Sequence, residues 1–124
     1  EIHNPSGTDV DMQGYGLSDE QGLLFKWIFP DITINAGEYL IIFASGKNRS
    51  VAGSELHTNF KLGGSGEYLG FFNPTGIAVT EFSPAFPAQQ TDYSFGFYED
   101  NYIEFSDPTS LINEKRITRI ELYT

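Results

Sequence analysis

The sequence predicts an all-β protein, an antiparallel sandwich or barrel, and three observations support this prediction. The apolar residues fall into short runs that are rich in aromatic and β-branched residues, which favour strands. Each run is bounded by Gly, Pro, Asn, Asp or Ser, which favour turns. No long segment repeats its apolar residues at the helical spacing i, i+3, i+4 and i+7. We therefore expect about eight or nine short strands at regular spacing.

The predicted strands follow one another along the whole chain. In order, the runs are "VDMQGYGLSD", "LLFKWIF", "EYLIIFAS", "HTNFKL", "EYLGFFN", "GIAVTEF", "YSFGFY", "YIEFS" and "RITRIELY". The third run has consecutive apolar residues at 39–43, which suits a strand that is covered on both faces or carries aromatic bulk outside. The last stretch is ambiguous, because Ile120 and Leu122 alternate as in a strand, whereas "LINEKR" could form a helical turn.

The segment "NPTG" predicts a hairpin turn between the fifth and sixth runs. Pro74 sets φ near the start of the turn, and Gly76 can take a positive φ at its end. The "GGSG" segment after Leu62 is the strongest candidate for a phosphate-binding loop. It lacks the Lys and Ser/Thr that follow in a P-loop, and no helix is predicted after it. We interpret it as a hairpin tip.

Length and charge narrow the possible functions. A chain of 124 residues with 15% aromatics is enough for one folded core. Its 17 acidic and 7 basic residues, a net charge of -10, repel polyanions, so no nucleic-acid binding is expected. Without cysteine there is no disulfide, thiolate metal site or cysteine nucleophile. No apolar run is long enough for membrane insertion, and the start at Glu1 suggests a piece of a longer protein.

His57 is the candidate for catalysis or metal binding. Either role needs partners, and His3 is the other histidine of the chain, while no "GxSxG" elbow is present. Thr58 and Asn59 beside it favour a hydrogen-bonded, partly buried histidine with a structural role. We therefore predict that the chain is not an enzyme, with no catalytic residue.

The acidic residues raise the possibility of a calcium site, because calcium prefers oxygen ligands. Asp9 and Asp11 share one side of an extended segment, and Asp19 follows in a loop. The spacing does not fit an EF-hand, and the alternative is a solvated acidic face that keeps the domain soluble. Beyond this calcium candidate, no cofactor is predicted.

Four residues are candidates for partner binding. Lys47 and Arg49 could hold a phosphate or carboxylate, although a solvated turn between two strands is the favoured interpretation. Tyr98 and Tyr102 flank an acidic turn, where exposed aromatic rings could stack on a sugar or anchor a basic protein segment. The alternative is that the aromatic residues fill the core and shield the sheet edges.

Three motifs, in order, resemble the lamin-tail domain in its bacterial form: "HNPSGTDVDMQGYGLSD", "WIFPDITINAGEYLIIFASGKNR" and "ELHTNFKLGGSGEYLGFFNPTGIAVTEF". The resemblance covers residues 1–113, with "YIEFSDPTSLIN" similar to the family's closing segment and the first strand truncated at its start. It implies an immunoglobulin-like antiparallel β-sandwich. Residues 114–124 are then a C-terminal extension, either an edge strand or the start of a linker to a further domain.

The resemblance also carries expectations about function. It implies a non-catalytic accessory or binding module of a larger exported or surface bacterial protein, with an extracellular, periplasmic or cell-surface location. The expected partner is a protein or a glycan, and neither its identity nor the oligomeric state is predicted. The alternative is a non-catalytic part of a secreted hydrolase, of nuclease or phosphoesterase type, whose active site lies in a neighbouring domain.

Overall fold

The computed structural model describes residues 1–90 and the strands 94–98, 101–105 and 118–121. These residues contain short strands and no helix. In chain order the strands are β1 (Ile2–His3), β2 (Val10–Asp11), β3 (Gly16–Ser18), β4 (Trp27–Ile28), β5 (Thr33–Ile34), β6 (Tyr39–Leu40), β7 (Ile42–Phe43), β8 (Leu56–His57), β9 (Leu69–Phe72), β10 (Ala78–Phe82), β11 (Ser94–Tyr98), β12 (Asn101–Phe105) and β13 (Thr118–Glu121). Within the described residues, none forms a helix of the length and apolar character that crossing a membrane requires.

The strands form two main sheets and two smaller pairs. One sheet has the order β12-β11-β13-β1-β6, and the other has the order β10-β9-β3-β4. Strands β2 and β5 pair antiparallel, and β7 and β8 pair parallel. The core combines side chains from both main sheets, among them Ile2, Leu17, Trp27, Phe71 and Phe82. The predicted all-β, immunoglobulin-like sandwich is therefore confirmed.

The number of strands exceeds the predicted eight or nine, because two apolar runs are each divided and because β1 and β5 lie outside the predicted runs. The run "VDMQGYGLSD" forms both β2 and β3, since Gly14 takes a φ of 83° and turns the chain between them. The run "EYLIIFAS" forms β6 and β7, which belong to different sheets. A division of this kind depends on which neighbour each half pairs with, and the apolar pattern does not encode it.

The two predicted turns have different outcomes. The "NPTG" hairpin is confirmed, because β9 and β10 pair antiparallel, Gly76 has a φ of 86°, and Asn73 Oδ1 accepts the Ile77 amide at 3.0 Å. The "GGSG" turn instead connects Lys61, which pairs with Ser45, to β9 in another sheet, so it does not close a hairpin. Gly66 packs so closely on the Phe86 carbonyl that a Cβ would lie 2.3 Å from that oxygen. This close packing requires glycine at the position.

Asn4 holds the first segment of the chain against the region around β5. Its side chain is fully buried, and Nδ2 donates to the carbonyls of Thr8 at 2.8 Å and Ile34 at 3.0 Å. Its Oδ1 accepts the Ser6 hydroxyl at 2.7 Å. The "NPSG" motif is therefore structural, since it supplies hydrogen bonds that a two-residue strand cannot.

Strand β13 lies between β11 and β1 and is parallel to both. Ile120 pairs with Ile2, and Thr118 pairs with Phe95. This is an interior position in the sheet, whereas the sequence had suggested an edge strand or a linker. Charged and apolar residues alternate along "RITRIELY", and this pattern favours an exposed edge. The tertiary fold determines which strands lie beside β13. The predicted domain boundary at residue 113 stays a prediction.

Candidate functional site

A pocket of about 410 Å³ opens between β5, the segment of β6 and β7, and the loop before β8. Its apolar wall is formed by Ile32, Leu40, Ile41, Phe43 and Leu56. Thr33 and Ser54 add hydroxyl groups, and Glu55 is the charged residue among those that line the pocket. The Glu55 side chain is 70% exposed, so its carboxylate remains hydrated at the pocket rim. An apolar wall with a few polar groups at its edge is the usual composition of a ligand site.

His57 packs against Phe43, one of the residues that line this pocket. The His57 and Phe43 rings stack with centroids 5.1 Å apart and an interplanar angle of 23°. His57 Nδ1 lies 2.8 Å from the Ser45 hydroxyl, and Nε2 lies 3.8 Å from the Glu55 carboxylate. The His57 backbone exchanges two hydrogen bonds with Arg49, at 2.8 and 2.9 Å. The histidine is therefore held by both its ring and its main chain.

Ser45, His57 and Glu55 have the residue types of a catalytic triad, and sequence reasoning missed that the fold brings them together. A working triad has its acid hydrogen-bonded to the histidine, and the 3.8 Å separation here is too long for that bond. The Ser45 hydroxyl also accepts the Lys47 amide at 3.1 Å, as in a turn. This geometry fits the predicted structural role, because His57 is both buried and hydrogen-bonded.

The rest of the "LHTNF" motif around His57 is also structural. Thr58 is buried and donates from Oγ1 to the Phe60 carbonyl at 2.7 Å. Asn59 Nδ2 donates to the Lys26 carbonyl at 2.8 Å, which ties the motif to the start of β4. Leu56 and Phe60 lie in the core. Each residue of the motif thus fastens one part of the sandwich near the pocket.

The four candidate binding residues lie in one loop and on two neighbouring strands. Lys47 and Arg49 are exposed in the loop that folds back over His57, where the Asn48 amide donates to the Thr58 carbonyl at 3.0 Å. Tyr98 ends β11 and Tyr102 lies in β12, where Tyr98 pairs with Asn101. The side chains of Tyr98 and Tyr102 are outside the described part, so their binding role stays a prediction.

The three calcium candidates are engaged separately. Asp9 Oδ1 accepts the Ala36 amide at 2.9 Å, and Asp11 Oδ1 accepts the Gln13 amide at 2.9 Å. Asp19 forms an ion pair with Lys26 at 2.7 Å, and its carboxylate raises the pKa of the Lys26 ammonium above its ordinary value. Within residues 1–90 and the described strands, no three histidine or acidic side chains are placed to hold a metal ion. Each aspartate therefore has its own partner, and calcium binding at Asp9, Asp11 and Asp19 stays a prediction.

Several large apolar side chains are exposed on the described surface. They include Leu23, Phe25, Ile28 and Ile77. Phe25 covers Gly16, where a Cβ would lie 2.6 Å from the ring, and Gly16 pairs with Ile28 and Phe72. By contrast, the described aromatic residues at 60, 68, 71, 72, 82 and 86 are buried, as expected if most aromatics fill the interior.

Sequence reasoning missed the pocket because its walls come from three separate segments. Ile32, Phe43 and Glu55 are each unremarkable in their local patterns. One signal was available in the run of apolar residues at 40–43, which breaks the alternation expected of a strand with one solvated face. Another was Glu55, which places a charge directly before the buried start of the "LHTNF" motif.

The fold and this site define a class: an immunoglobulin-like β-sandwich with a partly apolar pocket on its described surface. Residues 1–85 match the family model of the Lamin Tail Domain, so the chain belongs to this family. Domains of the family are generally non-catalytic immunoglobulin-like modules. Comparison with curated proteins and with solved structures gave no match.

Proposed function

We propose that this domain is a non-catalytic binding module of a larger exported or cell-surface bacterial protein, and that its partner is a protein or a glycan. The observation that carries the proposal is the pocket of about 410 Å³ with its apolar wall and the Glu55 carboxylate at its rim. Pockets of this size and composition hold ligands of a few hundred Å³. We therefore infer that the partner of the module binds at this pocket.

The chemistry of the pocket suits both kinds of partner. Phe43 presents an aromatic ring on which the apolar face of a sugar or an aliphatic side chain can pack. Glu55 can accept hydrogen bonds from sugar hydroxyls or from a cationic side chain. Thr33 and Ser54 add hydroxyl groups that can fix the orientation of either ligand.

The exported, bacterial setting is supported by the resemblance of the sequence motifs to the bacterial branch of the family. Export of the parent protein predicts that the domain faces the cell envelope or its surroundings. A glycan or protein of the envelope is then the natural class of partner. The alternative, an accessory part of a secreted hydrolase, would use the same pocket to position a neighbouring catalytic domain.

The test is a binding screen combined with an activity screen on the 124-residue chain. The immobilised domain is presented with a glycan array and with purified envelope proteins, in parallel with generic esterase, phosphatase and nuclease substrates. We expect saturable binding that Ser54→Trp abolishes, because a large side chain at this exposed pocket residue fills the cavity. We expect no turnover.

The variant His57→Ala tests both the binding at the pocket and the absence of catalysis. Loss of the His57 ring leaves Phe43 without its stacking partner, so binding should weaken. Turnover of any substrate that His57→Ala abolishes would overturn the non-catalytic function. Binding that is unaffected by both variants would show that the pocket is not the binding surface.

A further inference from the structure

We propose that the pocket binds an arginine or lysine side chain from a protein partner, with an aliphatic residue of the same segment beside it. This inference rests on the proposed binding function and names the class of its partner. The cation pairs with the Glu55 carboxylate at the rim, and the aliphatic part of the segment lies against Ile32, Leu40 and Phe43. A basic, aliphatic protein segment is therefore preferred over a glycan.

The composition of the pocket matches both parts of such a side chain. Arginine and lysine carry an apolar stem that packs on apolar surface while the charged head stays hydrated. The pocket likewise combines apolar lining residues with Glu55, whose side chain is 70% exposed. The Phe43 ring adds a favourable face for a cation close to the wall. The volume of about 410 Å³ leaves space for an aliphatic neighbour.

The rigidity of the pocket wall also favours a defined side-chain site. Phe43 is stacked on His57, and His57 is held by Ser45 at 2.8 Å and by two backbone bonds to Arg49. A wall that is already in its bound position costs little ordering entropy when a ligand arrives. We assign His57 and Ser45 as positioning residues for this wall.

The charge of the domain favours the same class of partner. A net charge of -10 raises the local concentration of cationic segments near the surface. Lys47 and Arg49 lie in the loop over His57, and their positive charges locally repel a basic segment. An acidic ligand bound by these two side chains is therefore the alternative, and the experiment compares a basic with an acidic peptide.

The experiment measures fluorescence polarisation of labelled heptapeptides with the 124-residue chain. One peptide has Leu-Arg-Ile at its centre, the second has Leu-Glu-Ile, and the third has Ser-Arg-Ser. We expect the first to bind most tightly, because it alone supplies both the charge and the aliphatic groups. Glu55→Gln should weaken its binding about threefold, as for a partly exposed ion pair. Ser54→Trp should weaken it about tenfold or more, because the new side chain occupies the cavity.

Glu20→Gln is the matched control, since it removes a carboxylate of similar exposure near Lys26, in a different part of the molecule. It should leave binding unchanged, and thermal melts should confirm that all variants fold. Tighter binding of the acidic peptide, or equal affinity of the first peptide for wild type and Glu55→Gln, would overturn the inference. If no peptide binds but a glycan does, the inference is wrong while the proposed binding function stands. If nothing binds in either screen, both are wrong.

Discussion

Two buried threonines show that the contribution of a hydroxyl group to stability depends on whether it has a hydrogen-bond partner. Thr58 Oγ1 donates to the Phe60 carbonyl at 2.7 Å. Thr80 in β10 is also buried and pairs with Phe71, yet within the described structure its hydroxyl has no hydrogen-bond partner. A buried polar group without a partner costs free energy, whereas a bonded one contributes to stability.

Valine at the two threonine positions should therefore have opposite effects. Thr58→Val should lower the free energy of unfolding by about 0.5–1.5 kcal/mol, because the Phe60 carbonyl loses the Thr58 hydroxyl and keeps the Gly46 amide as its donor. Thr80→Val keeps the shape and strand propensity and removes the unpaired hydroxyl, so stability should be unchanged or rise by about 1 kcal/mol. Urea unfolding of both variants measures the difference. A larger loss at Thr80 than at Thr58 would contradict this account.

Tyr68 should make stability depend on pH in the alkaline range. Burial raises the pKa of Tyr68 to about 12, and the hydrogen bond to Glu81 at 3.0 Å adds to the effect. Because the unfolded chain releases this proton near pH 10, the stabilising contribution is complete below about 10 and is lost as the pH rises toward 12. Thermal melts across this window should show a steeper decline for wild type than for Tyr68→Phe.

The same two proteins can be compared in stability at neutral pH. Tyr68→Phe should be less stable by about 1 kcal/mol there, because it lacks the hydrogen bond to Glu81. The gap between the two proteins should then narrow above pH 10. A gap that stays constant up to pH 12 would exclude Tyr68 as the group responsible.

At the scale of elements, many strands are too short to be stable through their own backbone hydrogen bonds. Strands such as β1, β4 and β8 have two residues each. Side chains complete their attachment, as when Asn4 bonds to the Ile34 carbonyl and Asn59 to the Lys26 carbonyl. The motifs that resemble the family contain many of the residues that make these hydrogen bonds. The residue types in the motifs are therefore explained by what the fold requires.

Strand β13 gives a test of position within a sheet. Successive N–H groups along a strand point to opposite sides, so an interior strand uses both the Arg119 and the Ile120 amides, whereas an edge strand uses one. With β1 on one side and β11 on the other, Arg119→Pro and Ile120→Pro should each lower the free energy of unfolding by about 3 kcal/mol. Chemical denaturation of the two variants measures the effect. Loss at one position alone would indicate an edge, and loss at neither would indicate a linker.

At the scale of the whole molecule, charge sets which partners can approach. The net charge of -10 predicts that the domain lacks the phosphate-neutralising surface that nucleic-acid binding needs. A gel shift with duplex DNA at low salt, where electrostatic attraction is strongest, should therefore show no complex. Micromolar binding under those conditions would contradict the expectation and point to a local cluster of Lys and Arg.

The sequence by itself determined the fold class, the hairpin at "NPTG" and the family. Turn residues and strand propensity act locally, and the spacing of the motifs reflects many local requirements at once. It also predicted that His57 is hydrogen-bonded, because Thr58 and Asn59 beside it favour such a setting, and the Ser45 hydroxyl is its partner. These inferences needed no knowledge of which strands become neighbours.

Tertiary structure alone decided which distant residues meet. It divided single apolar runs between sheets, placed β13 inside a sheet, and brought Ser45, His57 and Glu55 together behind the Phe43 wall. It also gave Asp9, Asp11 and Asp19 separate partners in the fold. Contacts between residues far apart in the chain depend on sheet order and register, which the local pattern of apolar and polar residues does not specify.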